Sequence, residues 1–180
     1  MAKMILVTGG ARSGKSSFAE ALVAKAGRRI AYIATAQIFD EEMRYRVELH
    51  RCRRPAAWQT YEAPFEAEKA LQDAGHSHDA ILFDCVTIYL SNLLCKPGER
   101  TEEEEYENVR QAMAQLIASV RQLPAEVTVV FVTNEVGAGI VPENALARRY
   151  RDLAGLANQQ LAQAANDVYA VICGLPLQLK

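Results

Sequence analysis

Apolar and polar positions along the chain fall into two alternating patterns. Short, mostly apolar runs rich in β-branched residues predict strands at Met4–Thr8, Arg29–Ala34, Ala80–Phe83, Val127–Thr133 and Val168–Ile172. They lack the strict alternation of a half-exposed strand, so burial on both faces is expected. Helical periodicity predicts helices at Lys15–Ala26, Asp40–Arg53, Pro64–Ala74, Val86–Cys95, Glu102–Gln122 and Glu143–Ala165. A short further strand fits Trp58–Glu62. Strands alternating with helices build βαβ units with right-handed crossovers and a mainly parallel sheet. No internal repeat or low-complexity linker divides residues 1–180, so a single domain is expected. The acidic run Glu102–Glu105 reads as a helix start. Thr101 and Glu104 have capping-box spacing, and acids suit the positive end of a helix dipole.

Composition narrows the function classes. The chain has 180 residues, half of them apolar, and a formal net charge of −2. No domain-wide positive field exists to attract phosphate backbones, so nucleic acid is not an expected partner. Cys52, Cys85, Cys95 and Cys173 are scattered without a C-x-x-C pair, which fits reduced thiols better than a disulfide framework or a zinc site. The most apolar stretch, Ala80 to Cys95, is interrupted by Asp84 and too short to span a bilayer, so no stable membrane insertion is expected. The start of the chain lacks a signal-peptide layout, and a cytoplasmic location is expected.

The chemistry concentrates first in Gly9, Gly10, Ala11, Arg12, Ser13, Gly14, Lys15 and Ser16, which match G-x-x-x-x-G-K-[ST] in full. A predicted strand enters this loop and a predicted helix leaves it. Glycines let the backbone curl so that successive N–H groups face an anion, and the helix start adds a positive dipole end. Lys15 would reach the β- and γ-phosphates and Ser16 would ligate Mg²⁺. Asp84 ends the apolar run Ala80–Phe83; an acid at the carboxyl end of a buried strand would sit beside such a loop and hold Mg²⁺ directly or through water. The fold class is therefore α/β, a P-loop NTPase-type three-layer α/β/α arrangement with a mainly parallel sheet.

Two further segments have two readings each. On the predicted helix Asp40–Arg53, His50 lies between an apolar stripe (Met43, Val47) and an arginine stripe (Arg46, Arg53). It is either a packing histidine or a nucleophile whose neighbouring arginines hold phosphates and favour the neutral imidazole. The segment from Asn134 to Asn144 follows a strand and is either a substrate loop or a plain connection to the next helix. Arg148, Arg149 and Arg151 could assist phosphates, or Arg148 could pair with Asp152. His76 and His78 lie in a polar turn and read as solvated.

The stretches Leu6–Ser16, Tyr32–Ala36, His50-Arg51 with Arg54-Pro55, and Thr133–Gly137 with Ile140–Asn144 resemble the bifunctional adenosylcobinamide kinase / adenosylcobinamide-phosphate guanylyltransferases, and the likeness runs over nearly the whole chain. The resemblance implies two reactions. A nucleoside triphosphate, ATP or GTP, phosphorylates the aminopropanol hydroxyl of adenosylcobinamide. A histidine then takes GMP from GTP, releasing pyrophosphate, and passes it to the phosphorylated cobinamide to give adenosylcobinamide-GDP. The family histidine maps to His50. Family nucleotide contacts map to Gly9–Ser16, Ala34, Thr35, Ala36, His50, Arg51, Cys52, Arg53, Glu62 and Asp84, and a homotrimer is implied. The rival readings are a P-loop kinase for another small molecule and a P-loop regulatory ATPase that acts on a protein.

Overall fold

Seven strands among the described residues form one sheet: β1 (Lys3–Thr8), β2 (Ile30–Ala34), β3 (Gln59–Glu62), β4 (Ala80–Asp84), β5 (Thr128–Val132), β6 (Asp167–Ile172) and β7 (Leu175–Gln178). Five helices with fully described bounds accompany them: α1 (Lys15–Ala26), α2 (Ala67–Gly75), α3 (Val86–Leu94), α4 (Glu102–Gln122) and α5 (Ala145–Ala164). The structure, a computed structural model, describes residues 1–38, 40, 41, 44, 45, 47, 48 and 55–180. Most of the predicted helix Asp40–Arg53, with His50, lies outside the described residues.

The strand order is β3-β2-β4-β5-β1-β6-β7. All pairs are parallel except β6 with β7, which is antiparallel. The central strands are buried on both faces, as their unbroken apolar sequences require. Alternate residues feed two cores. Ile5, Val7, Tyr32, Leu82, Val130 and Val171 pack under Ala19 and Val23 of α1. Leu6, Ile33, Phe83, Val129 and Phe131 pack under α2, α4 and α5, with Leu71, Met113, Leu116, Leu153 and Leu161 fully buried there. Each of these large aliphatic side chains contributes about 1.5–3 kcal/mol by leaving water. The expected three-layer α/β/α arrangement is present, with α1 on one face and α2, α4 and α5 on the other among the described helices.

Register lines up the functional edge. In parallel strands the carboxyl ends share one side of the sheet. Glu62 pairs with Ala34, Ala34 with Asp84, Asp84 with Val132, and Val132 with Val7, so one row crosses the sheet just below the phosphate loop. Asp84 has the parity of Leu82, which places its carboxylate on the α1 face.

Several local expectations change. α5 starts at Ala145, not at Glu143. The Asn144 side chain accepts from the Ala147 N–H at 3.0 Å and so fixes the first helical residue. α2 starts at Ala67 rather than Pro64. β7 was not expected. Thr101 and Glu104 do form the capping box at the head of α4. His76 is exposed, but His78 is buried: its Nδ1 lies 3.0 Å from the Ala74 carbonyl, and its ring meets the Tyr61 ring edge-on at 5.9 Å. It closes the end of α2 and is a packing residue rather than a solvated one.

Candidate nucleotide-binding active site

The loop from Gly9 to Ser16 leaves β1 and enters α1 at Lys15, with Gly14 as the N-cap. Its backbone curls tightly. The Ser13 N–H donates to the Gly10 carbonyl at 3.3 Å, and Arg12 and Gly14 take positive φ values of 57° and 95°. Gly9 is required by close approach. A Cβ there would lie 2.5 Å from the Val171 carbonyl oxygen and 2.6 Å from Ser13 Oγ. Ser13 Oγ is itself buried without a hydrogen-bond partner among the described residues. Curled backbone, a helix start and an unpartnered hydroxyl form a cradle suited to an anion.

Lys15 folds back over this cradle. Its Nζ donates to the Gly10 carbonyl at 3.0 Å, and the side chain is buried. Burial pulls its ammonium below the usual lysine range, and Cys85 and Asp84 oppose that shift. The Cys85 thiol is pushed up to about 11, chiefly by burial and then by Asp84, so it is neutral near pH 7. Asp84 is thus the carboxylate among the described residues that opposes the shift of Lys15.

Asp84 is held from the next strand. The Tyr32 hydroxyl donates to Asp84 Oδ2 at 2.5 Å. The two hard oxygen donors proposed for a metal, the Ser16 hydroxyl and the Asp84 carboxylate, suit Mg²⁺, which keeps several waters and completes its shell with phosphate oxygens. No group of three or more His, Cys, Asp or Glu that could cage an ion occurs among the described residues.

The residues predicted around the loop come together along the same edge: Ala34, Thr35 and Ala36 at the end of β2, Glu62 at the end of β3 and Asp84 at the end of β4. Thr35 is wholly buried and its hydroxyl is committed. It accepts from the Cys85 N–H at 2.9 Å and lies 2.9 Å from the Cys85 carbonyl, while the Thr35 carbonyl accepts from Asn92 Nδ2 at 2.7 Å. Its side chain splints the turn after Asp84. His50, Arg51, Cys52 and Arg53 lie outside the described residues.

Sequence reasoning missed a polar network behind the loop. Cys85 Sγ and Thr87 Oγ1 are 2.9 Å apart, and Asn134 Nδ2 donates to Thr87 Oγ1 at 2.7 Å. Thr133 donates to Asn158 Oδ1 at 2.7 Å, and the Tyr150 hydroxyl donates to the Thr87 carbonyl at 3.0 Å. The available signals for Asn134 were its place after a strand and the family-like stretch Thr133–Gly137. The Glu135 N–H donates to the Gly9 carbonyl at 3.1 Å, which ties the 133–144 segment to the phosphate loop. Two of the arginines of α5 are otherwise engaged. Arg148 donates back to the Pro142 and Glu143 carbonyls at 3.0 and 2.6 Å rather than to Asp152, and Arg149 binds Glu102 and Glu105.

Strand, curled loop, buried lysine and strand-end carboxylate define a P-loop α/β nucleotide-binding protein. Solved structures of similar fold include a type III secretion system ATPase (TM-score 0.55, 12% identical, 98% of this chain and 56% of that one) and the RadB recombinase (TM-score 0.50, 13% identical, 93% and 73%). Residues 5–179 match the family "Cobinamide kinase / cobinamide phosphate guanyltransferase", and the chain belongs to it. Similar relatives are the bifunctional adenosylcobalamin biosynthesis proteins CobU of Escherichia coli K12 (46% identical, 98% of this chain, 99% of the relative) and CobU of Salmonella typhimurium LT2 (45%, 98% and 99%). The bifunctional adenosylcobalamin biosynthesis protein CobP of Pseudomonas aeruginosa PAO1 is 41% identical, over 97% of this chain and 96% of the relative.

Proposed function

We propose that this chain catalyses both late steps on adenosylcobinamide: phosphorylation by a nucleoside triphosphate, then guanylyl transfer from GTP. The observation that carries the reading is the Gly9–Ser16 cradle with Lys15 docked across it, in a chain that belongs to this family. In the kinase step the substrate hydroxyl oxygen attacks the γ-phosphorus. A P–O bond forms, the nucleoside diphosphate leaves, and the hydroxyl proton is lost. Loop N–H groups and Lys15 stabilise the charge that builds on the transferred group.

In the second step the His50 imidazole attacks the α-phosphorus of GTP. A P–N bond forms and the bond to pyrophosphate breaks. A phosphate oxygen of adenosylcobinamide phosphate then displaces the histidine and yields adenosylcobinamide-GDP. The covalent intermediate divides one displacement into two. Mg²⁺, held by Ser16 and Asp84, would supply neutralisation and alignment of the triphosphate. The nucleotide set is Gly9, Gly10, Ala11, Arg12, Ser13, Gly14, Lys15, Ser16, Ala34, Ala36, His50, Arg51, Cys52, Arg53, Glu62 and Asp84. Thr35 acts through the Asp84–Cys85 turn.

On the family likeness, the proposal extends to a homotrimer working in the cytoplasm. No described helix is long and apolar enough to cross a membrane. Incubation with adenosylcobinamide and ATP should give the phosphate, and added GTP should convert it to the GDP conjugate with release of pyrophosphate, both resolved by chromatography and mass. Turnover of ATP that is indifferent to cobinamide would overturn the proposal.

A further inference from the structure

The β6–β7 turn lies against the phosphate loop although the two are far apart in sequence. Ile172 pairs with Leu175, so Cys173 and Gly174 make a two-residue hairpin turn. Their φ values are 52° and 81°, the pair of positive angles that a type I′ turn needs. The Gly174 N–H donates to the Ser13 carbonyl at 2.8 Å. A Cβ on Gly14 would meet the Gly174 Cα at 3.0 Å, so turn and loop touch.

This contact has a directional consequence. In a trans peptide the C=O and the following N–H point in opposite directions. Anchoring the Ser13 carbonyl on the hairpin therefore turns the Gly14 N–H away from it, as an inward-facing anion donor requires. We propose that Gly174 is a positioning residue for the phosphate loop: the β6–β7 turn sets the orientation of the Ser13–Gly14 peptide and hence the affinity for a triphosphate. The inference rests on reading Gly9–Ser16 as the triphosphate cradle.

Conformation supplies a graded test. Asn tolerates a left-handed φ, Ala pays for it, and Val is excluded by its branched Cβ. The dissociation constant of a fluorescent GTP analogue is measured by titration for the full chain and for Gly174→Asn, Gly174→Ala and Gly174→Val. Leu177→Gly is the control, since it weakens exposed β7 away from the loop. Thermal midpoints are recorded for all.

Gly174→Val should bind about tenfold more weakly, from the loss of one well-aimed hydrogen bond, and Gly174→Asn within about twofold of the parent. Leu177→Gly should lower the thermal midpoint and leave binding unchanged. Gly174→Ala should fall between, which keeps the series readable should the valine variant not fold. Equal binding by parent, alanine and valine variants overturns the proposal, and so does weakening that follows the thermal midpoint through the control. A parent that binds no triphosphate overturns instead the reading of the loop on which the proposal rests.

Discussion

The Tyr32 hydroxyl and the Asp84 carboxylate meet at 2.5 Å across neighbouring strands, on the same face of the sheet as α1. One carboxylate oxygen is thereby occupied, which limits the directions in which the other can face. A hydrogen bond to a charged group contributes about 1.5–3 kcal/mol. Tyr32→Phe keeps the buried ring and removes this restraint. The half-saturating Mg²⁺ concentration for either reaction should rise about tenfold or more on that basis, with a small change in thermal midpoint. An unchanged Mg²⁺ titration would separate Tyr32 from the metal role proposed for Asp84.

Lys15 serves both reactions if one cradle holds both triphosphates. Lys15→Met should reduce ATP-dependent phosphorylation and GTP-dependent guanylylation together, each by about 10²–10³-fold, the range for losing a preorganised charge-stabilising donor. Circular dichroism should show the fold retained. Loss of the kinase reaction alone would mean that GTP binds elsewhere for guanylylation.

Thr35 is a structural splint at the edge of the site. Thr35→Val preserves shape but leaves the buried Cys85 N–H without its acceptor. Urea unfolding should show a loss of about 1–3 kcal/mol. Thr35→Ser, which restores the hydroxyl, should recover most of it. A valine variant as stable as the parent would contradict the assignment.

Asp79 ties the start of β4 to the chain entering β2. It accepts from the Arg28 and Arg29 N–H groups and pairs with the Arg29 guanidinium at 2.6 Å. The Arg29 side chain, followed by its backbone N–H, holds the Asp79 carboxyl down at about 2. The native state therefore favours the carboxylate. Its stabilising effect is complete above the ordinary aspartate range and disappears as pH falls toward about 2. Thermal midpoints of parent and Asp79→Asn should differ at pH 7 and converge near the lower limit. A gap independent of pH would place the effect elsewhere than in ionisation.

Local patterns in the sequence revealed much of this architecture. The β1–loop–α1 unit is contiguous, so its glycines, lysine and apolar flanks state its conformation directly. The central strands were legible because burial on both faces leaves an unmistakable apolar run. β7 was not, since Leu175-Pro176-Leu177-Gln178 is a short, exposed edge strand whose partner defines it. His78 looked solvated among polar neighbours, and only the fold brings Tyr61 and the end of α2 over it. The Thr35, Cys85, Thr87 and Asn134 network joins residues about fifty positions apart, and no local period encodes that meeting. His50 was marked by its place between an apolar and a basic stripe, and the role proposed for it comes from family likeness rather than from geometry.

In the proposed mechanism one phosphate cradle supports attack at two phosphorus atoms, by a substrate hydroxyl at γ and by His50 at α. The most direct test is to incubate the chain with GTP labelled at the α-phosphorus, quench in base, and analyse the protein. The expected result is a covalent label that is stable to base and released by acid, absent from His50→Ala, and absent when the label is at the γ-phosphorus. Protein that takes up no α-label, or a His50→Ala variant that labels as well as the parent, would contradict it.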